Sequence, residues 1–137
     1  MKSRAPRIGD VIQIAIPGGF AYGRVLRDAS VAFYRQLSLV PGQPPLGSRD
    51  YLFVVGVYAD VLTSRDAPVV GHDPSHGPED DWPPPASITD PISGEVKIYH
   101  HGVIRDAQTS EVLGLEPAAV WDLPHIERRL MGSQDTA

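Results

Sequence analysis

The sequence lacks cysteine, which removes several classes of protein from consideration. With no cysteine among 137 residues, disulfide scaffolds, thiolate zinc sites, iron–sulfur clusters and cysteine nucleophiles are excluded. The chain also has no run of about 18 apolar residues, the length that a membrane-spanning helix needs. The basic residues Lys2, Arg4 and Arg7 are not followed by the long apolar segment of a secretory signal. These absences predict a cytoplasmic protein.

Motifs of catalysis are missing as well. No Gly-X-Ser-X-Gly motif occurs, and the glycines after Pro17 lead into a predicted strand, which excludes a phosphate loop. His72 and His76 are four residues apart, but the surrounding prolines and glycine exclude the helix that zinc proteases use. His100 and His101 are adjacent and lie where a turn is expected. Successive residues of a regular strand point to opposite faces, so from such a strand the two would not share one metal. The sequence therefore predicts a binding protein without catalytic, metal-binding or cofactor-binding residues.

Basic and acidic residues are distributed unevenly along the chain. Eight basic and four acidic residues occur through Arg65, whereas four basic and thirteen acidic residues follow, giving formal charges of about +4 and -9. Nucleic-acid affinity comes largely from basic side chains that displace counterions, so the net charge of -5 disfavours nucleic acid as a partner. The same charge favours encounter with a basic protein.

Length and patterning predict a single domain over residues 1–137, with an ordered body at 8–130. Short runs rich in β-branched residues, bounded by glycine and proline, predict strands. These strands cover residues 10–16, 20–26, 31–37, 51–58, 95–99 and 103–105, and 51–58 is expected to be a central strand. The fold class is α+β, mainly β, with a bent antiparallel sheet or a partly open β-barrel.

The C-terminal part of the chain predicts one short helix. Asp122 is a suitable N-cap, Ile126 and Leu130 share a face, and Gly132 is expected to close the end. The predicted core consists of Ile12, Ile14, Val25, Phe53, Val55, Val57, Ile98, Val120, Ile126 and Leu130.

Residues 64–94 contain seven of the 14 prolines and predict a long irregular loop. The loop carries three consecutive acidic residues, Glu79, Asp80 and Asp81, followed by Trp82. Adjacent carboxylates on such a loop are expected to be solvated rather than tuned for acid–base catalysis. Tryptophan is enriched at the centres of protein interfaces, so these four residues are the candidate partner-binding site.

Segments at both ends of the chain resemble one known family. Residues 9–17 and 20–26 resemble the start of the immunity protein 26 family of bacterial polymorphic toxin systems. Residues 114–121 and 125–130 are similar to the C-terminal pattern of that family. With the segments between them in the expected order, the resemblance covers most of 8–130.

The resemblance implies a cytoplasmic antidote that is not an enzyme and that neutralises a cognate toxin domain by occupying its surface. Many such toxins are nucleases with basic substrate grooves, so a basic nuclease domain is one candidate partner. In that setting Glu79, Asp80 and Asp81 would mimic phosphates and accelerate association, with Trp82 as an anchor.

Two other functions compete with this interpretation. A strand opening of this kind also looks like the small β-barrel ribonucleases of plasmid-maintenance systems, in which Arg24 and Arg27 would serve RNA cleavage. The acidic balance weighs against that alternative. A small-molecule-binding β module is the third hypothesis, with a pocket lined by Tyr22, Phe33, Tyr51 and Tyr58.

Overall fold

The computed structural model describes residues 5–135, so Lys2 and Arg4 lie outside the described residues. The strands are β1 (Asp10–Ile16), β2 (Gly19–Leu26), β3 (Ser30–Tyr34), β4 (Tyr51–Val57), β5 (Val69–His72), β6 (Ala86–Thr89), β7 (Val96–His100), β8 (Val103–Ala107), β9 (Glu116–Pro117) and β10 (Val120–Trp121). The helices are α1 (Ala59–Leu62) and α2 (Leu123–Asp135), with two 3₁₀ helices at Pro78–Asp81 and Thr109–Val112.

The strands form two sheets. The first has the order β10-β4-β3-β2-β1-β5 and the second the order β8-β7-β6-β9. The pairs are antiparallel except for two short parallel pairs, β10 with β4 and β9 with β6. The α+β, mainly β class is confirmed, and within the described residues the sheets are two open sheets rather than a closed barrel.

The main core lies between the first sheet and the helices. Every second side chain of β1 faces Ile126 and Leu130 of α2, which are almost fully buried. The opposite face of the same sheet carries a smaller cluster of Val11, Tyr22 and Tyr34. Nine of the ten predicted core residues are buried: Ile12, Ile14, Val25, Phe53, Val55, Val57, Ile98, Ile126 and Leu130.

Val120 is the wrong member of that core prediction, because its side chain is 53% exposed. It belongs to a two-residue strand at the edge of the first sheet and lines an open cleft. β4 has a strand on each side, β10 and β3, as expected of a central strand, but its alternating burial shows that only one of its faces is fully covered. The strand predicted over 31–37 ends at Tyr34.

Residues 64–94 are not one irregular loop as predicted. They contain β5, the 3₁₀ helix Pro78–Asp81 and β6. The prolines fall before, between or after these elements, except for Pro78 at the first position of the 3₁₀ helix, where no backbone N–H is needed. A proline-rich composition is therefore compatible with short strands here.

The C-terminal helix begins as predicted and ends later. The carboxylate of Asp122 accepts a hydrogen bond of 3.0 Å from the backbone N–H of His125, which confirms the N-cap. Gly132 does not close the helix, because α2 continues to Asp135. A glycine inside a helix weakens it without necessarily ending it.

Truncation of Ile126 tests how far the fold depends on α2. We expect Ile126→Ala to lower the free energy of unfolding by about 2–5 kcal/mol, because it leaves a cavity between α2 and the first sheet. Met131→Ala, on the exposed side of the same helix, is the control and should change it by about 0.5 kcal/mol or less. Urea unfolding measures both, and equal losses would contradict this packing.

Candidate partner-binding groove

One fully buried arginine organises the face of the first sheet that α2 does not cover. Arg24 lies in β2, opposite Val11 of β1 and Ala32 of β3. A buried charge is costly unless it is paired and hydrogen-bonded. The segment that follows β5 supplies those partners.

Every guanidinium nitrogen of Arg24 donates a hydrogen bond. Nε donates to the carbonyl of Asp73 at 2.9 Å and Nη1 to the carbonyl of Asp80 at 3.0 Å. Nη2 donates to Oδ1 of Asp81 at 2.9 Å and to Oγ of Ser75 at 3.3 Å. A guanidinium group is planar and has five N–H donors, so it can bind several acceptors that surround it. Arg24 therefore fixes residues 73–81 against the sheet.

A second arginine binds the same segment from its outer side. Arg49 contacts Asp80 with Nε and Nη2, both at 2.8 Å, and Asp73 with Nη1 at 2.8 Å. The buried carboxylate of Asp73 also accepts hydrogen bonds from the hydroxyl of Tyr34 at 2.6 Å and from the backbone of Gly47 at 3.1 Å. The two arginines and three aspartates, with Tyr34, form the arginine–aspartate network.

The network keeps its aspartates ionised. Burial raises the pKa of Asp73, but the hydrogen bonds from Tyr34 and Arg49 outweigh burial and hold the pKa below its usual range. The hydrogen bonds from Arg49 lower the pKa of Asp80. Burial also raises the pKa of Asp81, and the hydrogen bonds that it accepts again outweigh this effect. All three are carboxylates at neutral pH.

The expectation that the acidic run is solvated is wrong for two of its members. The side chains of Asp80 and Asp81 are only 17% and 16% exposed and are bound by arginines. Glu79 differs, since its side chain is 76% exposed. These residues lie in a 3₁₀ helix with three residues per turn, so the side chains of adjacent residues point in different directions. Of the four predicted partner-binding residues, Glu79 and Trp82 remain available at the surface.

Sequence reasoning missed the structural role of Arg24. Its position between Gly23 and Val25, inside a strand whose alternate residues are apolar, was a usable signal of an inward-facing charge. The burial of Arg24 also removes it from contact with RNA, as the ribonuclease hypothesis would need. Arg27 is exposed, and its guanidinium lies 5.5 Å from the centre of the Trp82 ring.

Trp82 lies between the 3₁₀ helix and the second sheet. Its ring stacks on that of His101 with centres 4.2 Å apart and an interplanar angle of 26°. The indole is half-buried, and its neighbours Asp81 and Arg27 are joined by a backbone hydrogen bond of 2.8 Å. Trp82 therefore sits in a fixed position at the surface.

Two adjoining clefts open between the sheets, and we call them together the inter-sheet groove. The larger cleft, about 450 Å³, is lined by Leu26, Tyr51, Val54, Glu79, Asp80, Trp82, Pro83, Pro84, Pro85 and His100. The second, about 290 Å³, shares Val54, Pro83 and Pro84 with it and adds residues of β6, β7 and the segment from β9 to β10. Three of the four predicted partner-binding residues thus line one groove.

The aromatic pocket of the small-molecule hypothesis does not form as predicted. Tyr22 and Phe33 are fully buried in different clusters, and Tyr58 is exposed. Of these four aromatic residues, only Tyr51 lines the inter-sheet groove. Its buried hydroxyl has no hydrogen-bond partner among residues 5–135, and burial raises its pKa.

Glu79, His100 and His101 form a cluster beside Trp82. One donor atom from each side chain lies within 4.8 Å of the others. His101 does not continue β7, because it has a φ of 53° and forms a tight turn with Gly102, whose φ is 77°. The two histidine rings consequently lie side by side, with centres 4.0 Å apart, rather than on opposite faces of a strand.

Within the described part of the chain, no helix is long and apolar enough to cross a membrane. In comparisons with protein-family models, with curated proteins and with solved structures, no match to the chain was found.

Removal of the buried guanidinium tests the arginine–aspartate network. We expect Arg24→Met to cost about 3–5 kcal/mol, because it leaves Asp81 without its buried partner. Arg35→Met is the matched control, since Arg35 forms an exposed ion pair with Asp50, and should cost about 1 kcal/mol or less. Chemical unfolding compares them, and a loss below about 1 kcal/mol for Arg24→Met would contradict the network's importance.

The network also predicts loss of stability in acid. The pKa values of Asp73, Asp80 and Asp81 are lowered by folding, so their stabilising contribution is complete above the unfolded value of about 3.9. It is lost as the pH falls through their folded values. The free energy of unfolding should therefore fall between about pH 5 and pH 2. Asp73→Asn should flatten this dependence, and a pH-independent wild type would refute the prediction.

Proposed function

We propose that the protein is a cytoplasmic antidote of the immunity type, which neutralises a cognate toxin domain by binding it along the inter-sheet groove. The observation that supports this most is the groove itself, with Glu79 and Trp82 at its mouth. A concave surface with a few polar groups at its edge suits recognition of a protein segment.

The groove combines apolar contact area with a negative edge. Its floor includes Val54, Pro83 and Pro84, which offer rigid apolar surface. Trp82, held by stacking, is suited to anchor a partner with little loss of side-chain entropy. Glu79 presents the exposed carboxylate, which favours a basic partner.

An exposed strand extends the apolar surface beyond the groove. β8 is the edge strand of the second sheet, and Val103 and Ile104 are both exposed large apolar residues. Ile104 pairs with Tyr99 of β7, which lines the groove. An edge strand with exposed apolar side chains offers backbone groups to an added strand. This edge supports the proposal of a second contact surface beside the first.

The ribonuclease alternative has less support. Every guanidinium nitrogen of Arg24 donates a hydrogen bond within the arginine–aspartate network, so Arg24 is not available to bind RNA. The net negative charge of the chain also weighs against RNA binding. A ribonuclease assay on the purified protein distinguishes the two functions directly.

The decisive experiment pairs the protein with the toxin domain encoded beside its gene. Complex formation is measured by titration, and neutralisation by rescue of cells that express the toxin domain. Trp82→Ala should weaken binding by about 30-fold or more, as expected for a central aromatic anchor. Glu79→Gln should mainly slow association and reduce its salt dependence.

Matched controls are exposed residues outside the lining of the inter-sheet groove. Tyr58→Ala removes an exposed aromatic residue before α1, and Asp60→Asn neutralises an exposed carboxylate on α1. Both should leave affinity unchanged. Absence of a complex and of rescue would reject the antidote function, while equal effects of Trp82→Ala and Tyr58→Ala would reject the groove as its site.

A further inference from the structure

We propose that Glu79, His100 and His101 bind a divalent transition-metal ion of the zinc type at the mouth of the inter-sheet groove. The proposal concerns a site that the antidote function does not require, and it stands or falls separately. Two imidazoles and one carboxylate are the composition of known three-ligand zinc sites.

The distances suit a small ion. Nε2 of His101 lies 3.2 Å from Oε2 of Glu79. Two ligands about 2.0–2.1 Å from a tetrahedral zinc are separated by roughly 3.3 Å. The three donor atoms all lie within 4.8 Å of one another, and the exposed side chain of Glu79 can adjust to an ion by rotation.

His101 carries an observation that points to a ligand. Its Nε2 is buried, and among residues 5–135 it has no hydrogen-bond partner. The nearby carboxylate of Glu79 is close but lacks the alignment of a hydrogen bond. Buried polar atoms are nearly always satisfied. A metal ion between Nε2 and the carboxylate would satisfy both atoms at once.

The fold holds the histidines in a conformation that favours shared coordination. The positive φ of His101 is uncommon for a residue with a side chain. It turns the imidazole toward that of His100 and onto the Trp82 ring. A stacked ring loses little freedom when it binds a metal, so the donor set is partly preorganised.

The donor chemistry selects the class of ion. Imidazole ligands suit zinc, copper, nickel and iron, whereas magnesium and calcium prefer sites made of oxygen atoms alone. Three protein ligands leave a fourth position of a tetrahedral ion for water or a partner's donor. Glu79 and His100 also line the groove, so that position lies at its mouth.

A bound ion would join two separate parts of the chain. Glu79 belongs to the 3₁₀ helix, and the histidines belong to the β7–β8 hairpin. Because the site exists only in the folded chain, binding stabilises the fold by an amount that grows with the logarithm of the ion concentration relative to its dissociation constant.

The test is a zinc titration of the full-length, metal-stripped protein without a histidine tag. Isothermal calorimetry gives affinity and stoichiometry, and cobalt(II) in place of zinc reports the coordination number by its visible absorption. We expect one ion per chain and a rise in the melting temperature on addition of zinc. His100→Ala and His101→Ala should each weaken binding by about tenfold or more.

His76→Ala is the matched control, because His76 is an exposed histidine on the neighbouring segment and outside the cluster. It should bind zinc as the wild type does. Circular dichroism first checks that the variants fold, and Glu79→Gln, which alters an exposed side chain, provides a variant that does not threaten the core. Failure to bind below about 1 mM, or wild-type affinity in all three cluster variants, would overturn the proposal.

Discussion

The hydrogen bonds of one buried guanidinium are the constraint on which the rest of the site depends. Arg24 is fully buried in the first sheet, so its charge is tolerable only when residues 73–81 lie across it and accept its hydrogen bonds. That requirement orders a proline-rich segment with few apolar side chains of its own. It also determines which side chains face outward, because Asp80 and Asp81 turn inward to the arginines and leave Glu79 and Trp82 at the surface.

The ordering of residues 73–81 by Arg24 also positions the second sheet. The 3₁₀ helix leads directly into Trp82, the prolines and β6. Stacking of Trp82 on His101 then fixes the turn of the β7–β8 hairpin against the 3₁₀ helix. The inter-sheet groove and the histidine cluster are thus consequences of the same buried charge, although neither contains Arg24.

Sequence patterns predicted what local chemistry determines. Runs of β-branched residues identified four strands of the first sheet, β1 to β4, but not β5 or β10, and Asp122 identified the start of α2. What the patterns missed depends on distant partners. Asp80 and Asp81 resemble solvated loop residues until Arg24 and Arg49 are placed beside them. By contrast, the turn expected at His100 and His101 does form, and the positive φ of His101 brings the two rings together, as a regular strand would not.

The two short parallel strands have a mechanical consequence. β9 pairs with β6 in the second sheet, and β10 pairs with β4 in the first, with only Ala118 and Ala119 between them. The backbone N–H of Ala118 donates to the carbonyl of Ser87 at 2.7 Å. The segment from β9 to β10 therefore connects the two sheets across one end of the groove. The sheets cannot separate at that end without breaking backbone hydrogen bonds, so the groove acts as a slot of set width, and an occupant must fit it rather than open it.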